Sequence, residues 1–402
     1  MDLALRPGTP ADWPGIAQLM QMTFHASWDD ELDQVKHGIF EPDRALVATD
    51  GDEVVGHAVA LTRRLTVPGA TVPAAHVSMV GVAPTHRRRG LLTQLMHRQL
   101  AEVPEPVAVL WATESQIYPR FGYGLASWRV SCSIETREVR LPEPAEPGRL
   151  RTVPVEQARP ELARVFEAVR PGRPGWSDRD DRWWSYRLAD PASHRQGSTT
   201  RRITIHEGSA GVDGYALWRA RSKWSDTGPN GEVSVDEVVA INPDAYLTLW
   251  RLLLSIDLTR SVKVWATGLD DPLLHLVDAP RRLGTTVGDG LFVRIVDLPA
   301  ALAARRYAVP VDVVIEVTDP LRPANTGRWR VTGDAEKATC TRTEEPADLA
   351  CGITELGAAY LGGTSLAALA AAGRVRELRP ETLAPVAAGF GWPVAPSAIE
   401  IF

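Results

Sequence analysis

The chain has 402 residues, with 44 basic against 50 acidic side chains and a net charge of −6. At about 100 to 200 residues per domain, this length holds two to four cores, and 44% apolar with 23% charged residues excludes a disordered or low-complexity chain. A net negative charge is a poor match to a polyphosphate backbone, so general nucleic-acid binding is disfavoured.

In chain order, Thr9-Pro10-Ala11-Asp12 opens a helical pattern with Trp13, Ile16, Leu19 and Met20 on one face. Residues 44–48 and 54–60 flank Asp50-Gly51-Asp52-Glu53 and predict two antiparallel strands joined by a tight turn. A strand over 76–82 follows, then a helix with Leu91, Leu92, Leu95, Met96 and Leu100 on its apolar face, then a β run over 107–111. About 155 residues later the same order returns: a strand over 232–240, a turn at Ile241-Asn242-Pro243-Asp244, a helix over 246–256 and a strand over 262–267. The last of these repeats Trp111-Ala112-Thr113 as Trp265-Ala266-Thr267. The pattern predicts an internal duplication of an α/β domain, with the Pro/Glu-rich segment 141–148 as linker. After Gly290, residues 291–297 and 311–317 read as strands and Ala-rich helices follow from about Asp348, giving a third, α+β domain. The apolar ending Ala398-Ile399-Glu400-Ile401-Phe402 has the composition of a segment made to be buried.

Cys132, Cys340 and Cys351 form no CxxC pair and have no histidine at zinc spacing, so neither a disulfide framework nor a metal site is expected. A reducing cytoplasm fits them. The N-terminal residues lack a basic region followed by an apolar one, and no stretch reaches the roughly 20 apolar residues of a membrane span. Only Lys36, Lys223, Lys263 and Lys337 are lysines, so arginine is this chain's default cation and a run of arginines says less than usual.

One run still stands out. Val80-Gly81-Val82-Ala83-Pro84-Thr85-His86-Arg87-Arg88-Arg89-Gly90-Leu91-Leu92 is a β run entering a basic, glycine-containing turn that opens a helix. Unpaired N–H groups and the helix dipole make such a turn an anion site suited to a pyrophosphate, and Arg87 to Arg89 would add charge-assisted bonds. A merely solvated run would set three cations against the dipole.

Here the chain resembles the GNAT acetyltransferase superfamily, whose acetyl-CoA motif Arg/Gln-x-x-Gly-x-Gly/Ala is matched by Arg87-x-x-Gly90-x-Leu92 except at Leu92. Together with residues 82–92, Ile117-Tyr118-Pro119-Arg120-Phe121-Gly122-Tyr123-Gly124, residues 291–295 and the Phe402 ending, the whole chain resembles the Eis acetyltransferases. The resemblance implies an N-terminal GNAT domain (1–140) binding acetyl-CoA, a degenerate GNAT-like domain (149–289) without cofactor, and a sterol-carrier-protein-like domain (290–402). It implies acetyl transfer from acetyl-CoA to amines of aminoglycosides or to lysine side chains, in a homo-oligomer that is typically a hexamer. Cofactor contacts carry over to Val80, Val82, Arg87, Arg88, Gly90 and Thr113. Tyr118 matches the general acid, with Tyr123 as its rival, and the α-carboxylate of Phe402 matches the general base.

A tyrosine of ordinary pKa about 10 is protonated at neutral pH and can protonate a departing thiolate. A terminal carboxylate is weakly basic and needs a dry pocket, for which Ile399, Ile401 and the Phe402 ring are candidates. None of the cysteines is placed as a nucleophile, so direct attack in a ternary complex is expected. For a cationic acceptor, the run Trp28-Asp29-Asp30-Glu31-Leu32-Asp33 and Glu400 offer negative charge, with Asp29, Asp30 and Glu400 as candidate contacts. Trp183 and Trp184 are candidates for an apolar wall or for core. The resemblance places an acid two residues after Phe24, where this chain has Ala26. The rival from another class is a lipid-binding carrier, which has no need of a pyrophosphate turn.

Overall fold

The computed structural model describes residues 3–402. Its strands in chain order are β1 (Leu3–Pro7), β2 (Ala45–Asp50), β3 (Glu53–Val67), β4 (Ala70–Val82), β5 (Val107–Trp111), β6 (Gly124–Leu125), β7 (Trp128–Glu135), β8 (Arg149–Val153), β9 (Arg202–Gly208), β10 (Gly211–Arg221), the short pair β11 (Trp224–Ser225) and β12 (Gly228–Pro229), β13 (Gly231–Ala240), β14 (Thr259–Thr267), β15 (Thr286–Asp289), β16 (Leu291–Ile295), β17 (Val311–Thr318), β18 (Gly327–Gly333), β19 (Ala338–Arg342), β20 (Leu349–Gly352) and β21 (Val375–Glu377). The helices that position the site are α1 (Trp13–Phe24), α2 (Asp30–Ile39), α3 (Leu91–Glu102), α4 (Val155–Val169), α5 (Asp181–Leu188), α6 (Ala192–Arg195) and α7 (Pro243–Leu254).

The first sheet runs β1-β2-β3-β4-β5-β16-β6 and the second β15-β7-β14-β13-β10-β9-β8. In each, one parallel pair sits among antiparallel neighbours: β4 with β5 in the first, β13 with β14 in the second. The duplication read from the sequence is therefore a duplication of sheet topology. α1 covers the first sheet with Trp13, Ile16, Ala17, Leu19 and Met20 buried, the 3.6-residue stripe that its sequence predicts.

One expectation changes. Leu291–Ile295, read as opening the third domain, pairs antiparallel with β5 (Leu291 opposite Trp111, Ile295 opposite Val107) and with β6, inside the first sheet. In exchange β7, which follows β6 directly, crosses to the second sheet and pairs with β14 and β15. The reason is burial: all five residues of β16 are buried, and an apolar run of this kind needs both faces covered. The helix Ile353–Ala359 packs against β16, and Arg294, fully buried in that strand, is neutralised by Asp319 at 2.7 Å.

The third domain is a five-stranded sheet, β19-β18-β17-β20-β21. Val313, Ile315 and Val317 of β17 share one core with Leu65, Val67, Val107 and Val109 of the first sheet. From there the last residues turn back between the first two domains. The Ser397 N–H donates to the Pro174 carbonyl at 3.0 Å, and the Trp176 indole N–H donates to Ser397 Oγ at 3.2 Å. Gly175, at φ +95°, permits this approach, since a Cβ there would stand 2.3 Å from the Ser397 carbonyl oxygen.

Candidate functional site

β4 and β5 pair over only three positions, Ala74–Val107 to His76–Val109. β4 then continues to Val82 while β5 ends at Trp111, so the strands part and leave a cleft of about 470 Å³. Val80, Val82, Arg87, Arg88, Gly90, Thr113 and Tyr118 all line it, and Thr23, Phe24 and Glu114 join them.

At the outer end, the chain leaves β4 through one 3-10 turn, Pro84–His86. His86 is buried and pins the turn, with Nε2 3.1 Å from Asp50 Oδ2. Arg88 at φ +63° and Gly90 at φ +79° are both left-handed, and Gly90 caps α3 with no side chain on its first N–H groups. Left-handed residues alternating with right-handed backbone at an uncapped helix start suit an anion-binding concavity. Exposed Arg87 and Arg88 flank it. The equivalent corner of the second sheet is filled: Asn242 accepts from the Ala245 N–H at 2.8 Å and donates to Asp213 at 2.7 Å, and Asp244 adds negative charge in the first turn of α7.

Further in, β4 carries a bulge. His57 pairs with Gly81 and Val59 with Ser78, so Ala58 of β3 faces both Met79 and Val80, and Met79 adopts φ +47°. A bulge leaves a residue out of the ladder and re-aims the chain; here it falls where Val80 meets the cleft. His57 fixes it from behind, with Nδ1 2.8 Å from the Met79 carbonyl.

Tyr118 begins the one-turn helix Tyr118–Phe121 just past β5. Burial, with Glu114 adding to it, pushes its phenol up to about 12. Tyr123 differs: it is fully buried, lies outside the cleft lining, makes no hydrogen bond through its hydroxyl, and stacks edge-on against Tyr118 at 6.0 Å. Of the two phenols, Tyr118 is the one open to a ligand.

The C-terminus meets the same strand. Ser78 Oγ donates to a terminal oxygen of Phe402 at 2.7 Å, two residues before Val80, and the Phe402 ring packs edge-on against His76 at 4.6 Å. Ile399 is half-buried, but Ile401 is 51% exposed, so the expected drying role does not extend to Ile401.

Glu400 departs from the expectation of a free acceptor-site acid. It is bound by Arg63 at 2.5 Å and Arg179 at 2.8 Å, and Arg179 is itself held in a fork by Glu237 at 3.0 and 2.8 Å. Burial alone would raise the Glu400 carboxyl, but Arg179 and Arg63 hold it below its ordinary value. Arg63 also stacks over Trp183 at 3.9 Å, and Arg179 over Phe166 at 4.0 Å and Trp184 at 4.9 Å, which makes the two tryptophans core supports. Asp29 is likewise engaged: it caps α2 through the Leu32 N–H at 2.9 Å and accepts from the Ser193 N–H at 3.0 Å, joining the first and second domains. Asp30 is exposed in the first turn of α2, and neither acid lines the cleft. Sequence reasoning missed Ser78, His76, Arg63, Arg179 and Glu237. The Arg179–Glu237 pair spans 58 residues and the Ser78–Phe402 bond more than 300, and no local spacing signals them.

Known proteins share this three-part organisation. Residues 4–126 and 175–295 each match an acetyltransferase (GNAT) domain model, and residues 298–398 match a sterol carrier protein domain. N-acetyltransferase Eis of Mycobacterium tuberculosis is 35% identical over 407 residues, 97% of each chain. The chain belongs to the Eis family of GNAT N-acetyltransferases. Another relative, an uncharacterized N-acetyltransferase of Streptomyces avermitilis, is 44% identical over 92% of this chain and 91% of its own. The crystal structure of Eis1 from Mycobacterium abscessus covers both chains fully at a TM-score of 0.83 and 32% identity. A GCN5-related N-acetyltransferase from Anabaena variabilis shares the fold at a TM-score of 0.86 and 20% identity. This Eis-family chain is thus an N-acetyltransferase of a class that uses acetyl-CoA, with two GNAT domains and a sterol-carrier-like third. Among its described residues, no group of three or more His, Cys, Asp or Glu is arranged to hold a metal, and no helix is long and apolar enough to cross a membrane.

Proposed function

We propose that this protein acetylates amines of aminoglycoside-like polyamines by direct transfer from acetyl-CoA within a ternary complex, with Tyr118 as general acid and the Phe402 carboxylate as general base. The observation that carries the reading is the bond from Ser78 to the terminal carboxylate, which brings the chain end to the strand that borders the cofactor cleft, two residues from its bulge. The Arg88–Gly90 turn with Arg87 and Arg88 suits the pyrophosphate, and Val82 and Thr113 flank the pantetheine arm.

In the proposed step the amine nitrogen forms a bond to the acetyl carbon while the carbon–sulfur bond breaks. The Val80 N–H polarises the carbonyl, the nitrogen's proton passes to the Phe402 carboxylate, and the Tyr118 proton passes to the thiolate. A phenol near 12 is a weaker acid than a thiol of about 8.5, so the proton moves to sulfur against the pKa difference and the phenolate must recover a proton from solvent for the transfer to complete. The three thiols support attack without an acetyl-enzyme: Cys132 and Cys340 are buried, Cys351 partly so, burial pushes their pKa values up to about 11, 12 and 12, and none lines the cleft.

The test is thiol release from acetyl-CoA with kanamycin or neomycin, comparing the untagged chain with one ending at Ile401. Amine-dependent release that disappears in the shortened chain is the expected result. Full activity of the shortened chain would remove Phe402 as base. CoA binding without release on these amines would shift the acceptor to lysine peptides.

A further inference from the structure

The second sheet keeps an open cleft although its phosphate corner is filled. β13 and β14 pair only from Gly231 to Val235, after which β13 runs on to Ala240 without its parallel partner. The gap holds a cavity of about 390 Å³, within the range of about 300 to 1,000 Å³ typical of small-ligand sites. Its walls are apolar and aromatic, with Trp176, Val239, Leu247, Trp250 and Ile399 among them.

The charges on these walls are unevenly compensated. Glu237 is neutralised by Arg179 and Arg187, Asp236 by Arg201 and Arg219, and Asp270 by Arg173. Asp271 is different. Its oxygens accept from the Tyr246 and Thr267 hydroxyls and from the Leu273 N–H at 2.9 Å, all neutral donors, so among the described residues this half-buried carboxylate lines the cavity without a cationic partner. Asp244, in the first turn of α7, accepts from the Ala145 and Glu146 N–H groups and, among the described residues, adds a second carboxylate without a cationic partner to the lining. An anion or CoA pyrophosphate is repelled there. A cation with an apolar body satisfies both the carboxylate and the aromatic wall, where cation–π attraction adds to burial.

We propose that this central-domain cavity is a second ligand site, separate from the acetyl-CoA cleft, that binds a small apolar ammonium compound against Asp271. The site is independent of the assignment of Tyr118 and Phe402. Two of its wall residues, Ser397 and Ile399, belong to the segment that carries the chain end.

The test uses benzyltrimethylammonium, a cation that cannot be acetylated, titrated calorimetrically into the full-length protein with the first cleft saturated by CoA. Saturable binding is expected, with the neutral analogue dimethyl benzyl carbinol weaker by about tenfold, the scale of one desolvated cation–π contact. Asp271→Asn should weaken the cation by a similar factor and leave the neutral probe unchanged. Ala266→Phe, which fills the cavity from β14, should abolish binding of both. Absence of saturable binding at millimolar concentration, equal affinity for the neutral analogue, or undiminished binding in a folded variant each overturns the proposal. If one variant fails to fold, the other and the cation-to-neutral ratio of the unaltered protein still decide it.

Discussion

At the scale of single residues, Tyr118 and His57 do opposite things with burial. The Tyr118 phenol, pushed up to about 12, stays protonated through the neutral and mildly alkaline range. Tyr118→Phe is expected to lower kcat by about 10²- to 10⁴-fold, the usual weight of a general acid, with CoA affinity nearly unchanged. Steady-state kinetics beside CoA titration separates the two, and unchanged turnover would remove the role. The parent enzyme should show no alkaline loss of rate from this phenol below about pH 10. His57 is fully buried behind the Met79 bulge, and burial lowers its imidazolium pKa to about 4 against 6.5 in the open chain. Between these values the unfolded chain binds the extra proton, so stability rises with pH through this window and is lost as pH falls from about 6.5 toward 4. The full loss for this one ring is about 3 kcal/mol. His57→Gln should flatten that part of the melting temperature against pH curve; a slope as steep as the parent's would assign the acid sensitivity elsewhere.

At the scale of elements, three segments distant in sequence meet at the chain end: β3 through Arg63, the stretch before α5 through Arg179, and the last residues through Glu400. Arg63 and Arg179 have no exposed side-chain surface and Glu237 almost none. Breaking such a pair leaves an uncompensated buried charge and costs about 3 to 5 kcal/mol. Arg179→Met therefore should lower thermal stability by about that much, read by denaturant unfolding, and should reduce acetyl transfer in whatever folded protein remains. A loss below about 1 kcal/mol would mean that Glu237 and Glu400 find other partners. The contrast between the helix starts at Gly90 and Asn242 belongs to this scale too. Two copies of one topology differ at the corner where an anion would sit, because one cap is a left-handed glycine and the other a side chain that occupies the N–H groups itself.

At the scale of the whole molecule, the exchange of β16 and β7 decides what can be separated. β16 fills the position between β5 and β6, and the following third domain shares its core with the first sheet. A fragment of residues 1–289 would leave β5 and β6 without their common neighbour and expose an unpaired strand edge. It is expected to be insoluble or molten, as judged by near-UV circular dichroism and limited proteolysis, although the first two domains read as complete from the sequence. A soluble, cooperatively melting fragment would show that β16 is dispensable to the first sheet.

Features that depend on neighbours within a few residues are legible in the chain alone. The helical stripe of Trp13, Ile16 and Met20, the turn at Gly51, the duplicated strand–turn–helix–strand order and the basic Arg87–Gly90 turn are all local, because backbone periodicity and left-handed turn residues are set by adjacent side chains. The resemblance carried by those motifs placed Tyr118 and Phe402 as candidates. The sheet that Leu291–Ile295 joins, the facing of Tyr118 rather than Tyr123 into the cleft, and the engagement of Asp29 and Glu400 between domains emerge with the fold. The physical reason is the same in each case. Strand partnership, burial and charge compensation are pairings between residues far apart in the chain, and neither member carries a mark in sequence of the other.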